Sequence, residues 1–225
     1  MDVYLELGTK RVFAGVLAWP GLCRTARDQE GALAALLAYA PRYARAVAEV
    51  KPRPAFAAPE RLSDLVVVER LNGDATTDFG APSAQPAADS PPATPAELRM
   101  LLAILEACWA ALDRAAAAVG GVELSRGPRG GGRELEAILE HVIGSEADYA
   151  RKIGLRLAAP TDPASPAEHR GAVLTGLTQA ATEGVPAAGP RGGAMWPPRY
   201  FVRRAAWHIL DHAWEIEDRS GMAFA

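Results

Sequence analysis

Histidine is scarce in this chain, with four among 225 residues. Two of them, His208 and His212, stand four residues apart in Trp207-His208-Ile209-Leu210-Asp211-His212-Ala213-Trp214-Glu215. On a helix that spacing puts both imidazoles on one face, one turn apart. At about 100° per residue the apolar stripe of this helix centres on Phe201, Val202, Ala205, Ile209 and Ile216, and His208, His212 and Glu215 fall together on its flank. They are expected to face a neighbouring helix near the surface. His141 falls in the same way beside the stripe Leu135, Ile138, Leu139, Val142, Ile143 and Ile153 of an earlier helical pattern, near Ser145 and Asp148. The three rings can therefore converge at a helix boundary open to solvent. Three neutral imidazoles suit Zn²⁺, Ni²⁺ or Fe²⁺ and leave a coordination position for water or a substrate atom, as catalytic centres do. A divalent ion held there lowers the pKa of a coordinated water or thiol. Asp211 and Glu215 are the expected acceptors for the ligands' remaining N–H groups.

Each of these residues also has a plainer reading. A histidine pair at this spacing arises by chance, and an isolated His141 is more often a hydrogen-bonded, partly buried residue. Economy favours the site, since one centre accounts for three of the four histidines. His169, on a more polar helical segment, is expected at the surface. Arg204 falls near the His208 face, where a guanidinium can clamp a carboxylate or phosphate of a substrate. The alternative is pairing with Asp211, Glu215 or Asp218 on a solvated face, the reading expected for Arg203. Trp196, Trp207 and Trp214 are read as packing rather than as pocket walls. The run Arg126-Gly127-Pro128-Arg129-Gly130-Gly131-Gly132-Arg133 lacks the Lys-Ser/Thr ending of a P-loop and reads as an interhelix loop. No Ser-His-Asp order with a nucleophile elbow is visible, and a covalent protein nucleophile is not expected.

The elements that must hold these side chains fall into two stretches. In the first, residues 3–18 alternate as a β-hairpin, a turn follows at Trp19-Pro20-Gly21, and a helix starts near Asp28 with Leu33, Leu36, Leu37, Ala40, Tyr43 and Val47 on one face. Pro52 and Pro54 are expected to end that helix. The run Leu65-Val66-Val67-Val68 then leads to Asn72-Gly73, a dipeptide suited to a tight hairpin turn. Residues 1–80 thus read as a small α+β domain. Residues 81–95, dominated by Pro, Ala, Ser and Asp, are too poor in large apolar groups to build a core and read as a linker. Residues 96–225 carry helical periodicity over about 95–119, 132–157, 165–183 and 197–219, the pattern of a four-helix bundle.

Composition narrows the partners. The net charge of −3 offers no global attraction to nucleic acid or anionic lipid, so a small-molecule substrate or a protein partner is expected. The longest apolar run, Leu101 to Val119, is broken by Glu106, Asp113 and Arg114 and does not read as a membrane span. The N-terminus has no basic stretch followed by an apolar segment, and Cys23 and Cys108 form no CxxC or metal-spaced pair. A cytoplasmic protein with free thiols is the expectation.

Ile138-Leu139-Glu140-His141-Val142-Ile143 followed by Glu146, Tyr149 and Ile153-Gly154 resembles the second helix of the DinB/YfiT-like superfamily. Trp207-His208 through Asp211-His212-Ala213-Trp214-Glu215-Ile216-Glu217-Asp218-Arg219 resembles its fourth. The resemblance spans roughly residues 95–220. It implies an up-up-down-down bundle and a three-histidine metal site, matched here to His141, His208 and His212. It also implies chemistry of the kind found in thiol-dependent S-transferases and a thiol-dependent isomerase, with a low-molecular-weight thiol bound as thiolate. Tyr4 to Tyr39, with Val12-Phe13-Ala14-Gly15-Val16 and Pro20-Gly21-Leu22-Cys23, resembles the HicB-like fold over a shorter stretch, without a DNA-binding helix-turn-helix or ribbon beside it. Three functions are therefore in view. They are thiol transfer or addition at a metal centre, hydrolysis by metal-bound water, and a non-catalytic protein-binding module on a helical scaffold.

Overall fold

The computed structural model of the chain describes residues 1–50, 56–121, 123–126, 132–157, 166–189 and 192–222. Their class is α+β. Strands β1 (Asp2–Leu7) and β2 (Val12–Val16) form the expected antiparallel hairpin, with Val3 opposite Val16 and Leu7 opposite Val12. Gly21, in the left-handed region at φ 98°, turns the chain into β3 (Cys23–Ala26), which pairs antiparallel with β2. This strand had no signal beyond the turn that precedes it, because its polar residues Arg24 and Thr25 hide the alternation. Helix α1 (Gln29–Ala46) starts where expected, with the Asp28 carboxylate accepting from the Gly31 N–H at 2.8 Å. Pro52 and Pro54 lie outside the described residues.

Strand β4 (Val66–Asn72) departs from the hairpin expected at Asn72-Gly73. It pairs in parallel with β1, giving the order β3-β2-β1-β4. The Gly73 N–H donates to the Leu7 carbonyl at 2.8 Å, and the chain enters the short helix α2 (Ala75–Phe79). Asp74 caps it, accepting from the Thr76 N–H at 2.7 Å. The Asn-Gly pair serves a helix entry here, and Gly73 takes no positive φ. The edge of β1 that the hairpin leaves open takes the returning strand.

The sheet is covered on both faces. Val3, Leu5, Val12, Ala14 and Val16 share a core with Ala32, Leu36, Ala40 and Tyr43 of α1. The opposite face carries Tyr4, Glu6, Phe13, Gly15 and Cys23. Gly15 leaves room for the Tyr4 ring, since a Cβ there would fall 2.4 Å from Tyr4 Cε1.

Four longer helices follow at close to their expected bounds. They are α3 (Pro95–Ala118), α4 (Leu135–Ala150, extended by a 3-10 turn at Arg151–Ile153), α5 (Ala167–Glu183) and α6 (Pro198–Ser220). Thr94 and Glu97 cap α3 reciprocally, with Pro95 at its first position. Gly221, at φ 67°, closes α6. Helices α3, α4 and α5 all pack against α6. No helix among the described residues is long and apolar enough to cross a membrane.

Helix α6 is more deeply buried over its first half than its apolar stripe suggests, and its partly exposed flank begins only at Asp211, Glu215 and Asp218. Every residue from Tyr200 to Leu210 is buried. Helices close over one side, while Trp207 packs edge-on against Phe13 of the sheet at 6.0 Å. Arg203, expected on a solvated face, is buried for the same reason. Its guanidinium donates to Asp89 at 2.6 and 2.8 Å and to the carbonyls of Val16 and Leu17 at 2.7 and 2.8 Å. The segment 81–95 is thereby fastened by polar groups instead of by a core of its own. The buried Glu6 carboxylate accepts from the Ser83 and Ala84 N–H groups at 2.9 and 3.0 Å, and the Tyr200 hydroxyl donates to the Ser83 carbonyl at 2.8 Å.

Replacing Asp89 by alanine leaves the buried Arg203 charge without its counter-ion, held only by the Val16 and Leu17 carbonyls. Breaking such a pair costs about 3 to 5 kcal/mol. Urea unfolding of Asp89→Ala should show a loss of that size, and a loss below about 1 kcal/mol would mean that the two carbonyls suffice for the guanidinium.

Candidate metal centre

Helices α4 and α6 bring the three predicted histidines together. The four-residue spacing on α6 sets His208 one turn from His212 with ring centroids 4.7 Å apart, and His141 of α4 meets each at 5.0 Å. One ring nitrogen from each lies within 4.8 Å of the others, close enough to hold a metal ion. The Nε2 atoms of His141 and His208 are 3.2 Å apart. Two nitrogens bound to one tetrahedral ion at the usual distance stand about 3.3 Å from each other. The rings also meet nearly perpendicular, at 69°, 85° and 89°, so they approach edge to face instead of stacking.

Protonation favours the same use. Burial, followed by the charge of its neighbours, holds His208 well below the ordinary histidine range, and burial likewise lowers His141. Both are neutral near pH 7, the form that offers a lone pair. His212 is oriented by its partner, since the Glu215 Oε2 lies 2.8 Å from Nδ1. With Nδ1–H donated to that carboxylate, Nε2 is left as the free lone pair. The bond to His212, then burial in opposition and Arg219, leave the Glu215 carboxyl below its usual range. Arg219 braces Glu215 at 2.9 Å and is itself held by the carbonyls of Ser125 and Arg133, both at 2.8 Å. His141 is the most exposed of the three, so the approach from solvent lies on its side.

Glu215 is thus in the expected supporting place. Asp211 is not, because its carboxylate turns to Arg24, whose Nη1 donates at 2.7 Å, and it contacts no histidine. Arg204 sits one turn before His208 and is buried, with its guanidinium 4.5 Å from the Trp207 ring and 5.0 Å from Tyr149. Trp207 and Trp214 are buried packing residues, the latter against Tyr39, and Trp196 lies on Tyr149 at 5.4 Å. The central part of the Arg126–Arg133 run, residues 127–131, lies outside the described residues.

Two buried polar groups escaped the sequence reading. His169 is 5% exposed rather than at the surface, and its Nε2 lies 3.1 Å from Glu146 Oε2. The Trp109 indole donates to the other oxygen of Glu146 at 2.9 Å. The available signal was the run His169, Val173, Gly176, Leu177 and Ala180, all on the buried stripe of α5. Cys23 and Cys108 are free but buried. Burial pushes Cys23 up to about 12 and Cys108 higher still. Comparison with protein-family models, curated proteins and solved structures finds no match for this chain.

The neutral burial of His141 and His208 has a sign that solution work can read. The unfolded chain takes up protons near pH 6.5 while the folded, metal-free chain does not, so stability present above that pH is lost as pH falls through it toward the lowered folded values. Chelator-treated protein should unfold at lower urea concentration at about pH 5.5 than at about pH 7.5. In a variant with both rings replaced by phenylalanine the difference should shrink, and an equal difference would place its origin elsewhere.

Proposed function

We propose that the chain is a metal-dependent enzyme of the DinB-like type, built on a four-helix bundle, that adds or transfers a small thiol to an electrophilic small molecule. The observation that carries the reading is the gathering of three imidazole nitrogens within 4.8 Å of one another, two of them 3.2 Å apart. Three ligands leave positions free, and a divalent ion such as Zn²⁺, Ni²⁺ or Fe²⁺ supplies Lewis acidity that makes a coordinated thiol acidic near neutral pH. His208 and His141 are neutral by burial and so ready to donate their lone pairs. Glu215 fixes which nitrogen of His212 is presented. In the reaction the thiol's proton would pass to water and its sulfur would form the new bond to the electrophilic carbon. The electron pair displaced from that carbon leaves with the departing group in a transfer or, in an addition, moves to the neighbouring atom, which takes up a proton from water.

The sulfur must come from a separate molecule. Cys23 and Cys108 keep their protons at neutral pH and are shut away from solvent. Hydrolysis by metal-bound water would use the same ligands, and a HicB-like N-terminal half would suit a protein partner. Neither has an observation that prefers it.

Protein purified without a histidine tag should carry about one divalent ion per chain by elemental analysis, and the triple variant His141→Ala, His208→Ala, His212→Ala should carry negligible metal. Equal, negligible metal in both proteins removes the proposal. Glu215→Ala should weaken metal binding by about 10- to 100-fold while leaving the three ligands in place. Turnover of electrophiles should require added thiol, whereas turnover of activated esters without thiol would point to hydrolysis.

A further inference from the structure

Arg204 and His208 lie on one face of α6, four residues or about 6 Å apart along the axis. The two aromatic rings that flank the Arg204 guanidinium, Trp207 and Tyr149, are also neighbours of His208, at centroid distances of 6.0 and 5.8 Å. Arg204 is 9% exposed. Its Nη1 is shut off from water and has no hydrogen-bond partner among the described residues. The other two buried arginines of α6 are treated differently. Arg203 has a carboxylate and two carbonyls, and Arg219 has a carboxylate and two carbonyls. Aromatic faces attract the guanidinium charge, but they leave the N–H donors at its edge unused. Buried charged donors without an acceptor are rare in native folds, and a ligand that brings the acceptor is one established reason for keeping them.

We propose that Arg204 anchors an oxyanion, carboxylate or phosphate, on the ligand of the three-histidine centre. The anionic group lies on the guanidinium fork, and the coordinating or reacting atom lies about one helical turn away, at His141, His208 and His212. The substrate or thiol therefore carries a negative charge. The oxyanion site rests on Arg204 itself, and its pairing with a metal rests on the metal reading above.

Metal-free full-length protein is titrated with acetate and with inorganic phosphate against chloride at matched ionic strength, following tryptophan fluorescence and melting temperature. A saturable response to phosphate alone, to acetate alone or to both supports the site and tells the two sources apart. That response should weaken at least about tenfold in Arg204→Gln and less in Arg204→Lys, which keeps the charge but loses the fork. No saturable response in the native protein overturns the proposal, and so does an undiminished response in Arg204→Gln. Should Arg204→Gln fail to fold, Arg204→Lys decides, with undiminished binding overturning the proposal. In Co²⁺-loaded protein, 3-mercaptopropionate should change the visible spectrum at lower concentration than 2-mercaptoethanol, and Arg204→Gln should abolish that preference. An equal preference in both proteins overturns the proposal. Failure to take up cobalt with the oxyanion response intact overturns the metal reading alone and leaves the Arg204 site supported.

Discussion

From Tyr200 to Leu210 helix α6 is buried on every side, and a helix so enclosed must find partners for the polar groups it carries there. Burying a charge without a partner costs more than most single contacts return. The surroundings of α6 follow from that constraint. Arg203 draws in Asp89 and two strand-end carbonyls, which fastens residues 81–95 to the sheet. Arg219 reaches the chain around Ser125 and Arg133 and steadies Glu215, which in turn orients His212. His208 meets His141 of the neighbouring helix. Among the described residues Arg203 and Arg219 each have a carboxylate and two carbonyls as acceptors while Arg204 Nη1 has none, the contrast on which the proposed oxyanion site rests.

The supporting groups also divide the labour between structure and chemistry. Those that hold α6 in place are bidentate or multiply bonded arginines with carboxylate or carbonyl acceptors, which cannot lose their charge. The histidine cluster has no fixed charge of its own and is surrounded by aromatic edges and one half-buried carboxylate. Its rings are therefore free to serve as neutral donors, while the fixed charges near them shape what can approach.

Much of this was legible in the sequence where a periodic pattern coincided with a start or stop signal. The β1–β2 hairpin, the α1 start at Asp28 and the four long helices all fall there, as do the two histidines on α6, because an i, i+4 pair is a local fact of helix geometry. The convergence of His141 with them needed tertiary placement, and its expectation rested on the flank position of His141, the scarcity of histidine and the resemblance together. The failures share a cause. Asn72-Gly73 is compatible with both a hairpin turn and a helix entry, and the choice was made by the open edge of β1. Arg203 and His169 were placed at the surface because polar residues usually are, yet each has a carboxylate from a distant segment, and no local window contains both partners. Asp211 went to Arg24 for the same reason, across nearly the whole length of the chain. Residues 81–95 looked unfit for packing because their anchors are backbone N–H groups and one aspartate, which carry no hydrophobic signal.

The cover that α6 gives to the second face of the sheet sets the order of synthesis against the order of burial. Tyr4, Glu6 and Phe13 are made long before Trp207 and Arg203, which shield and anchor that face. Until α6 is made, the hairpin has a dry side on α1 and a wet side waiting for its lid. An apolar sheet face left open for so long is prone to aggregation, and a chain cut short before α6 would carry that face unprotected.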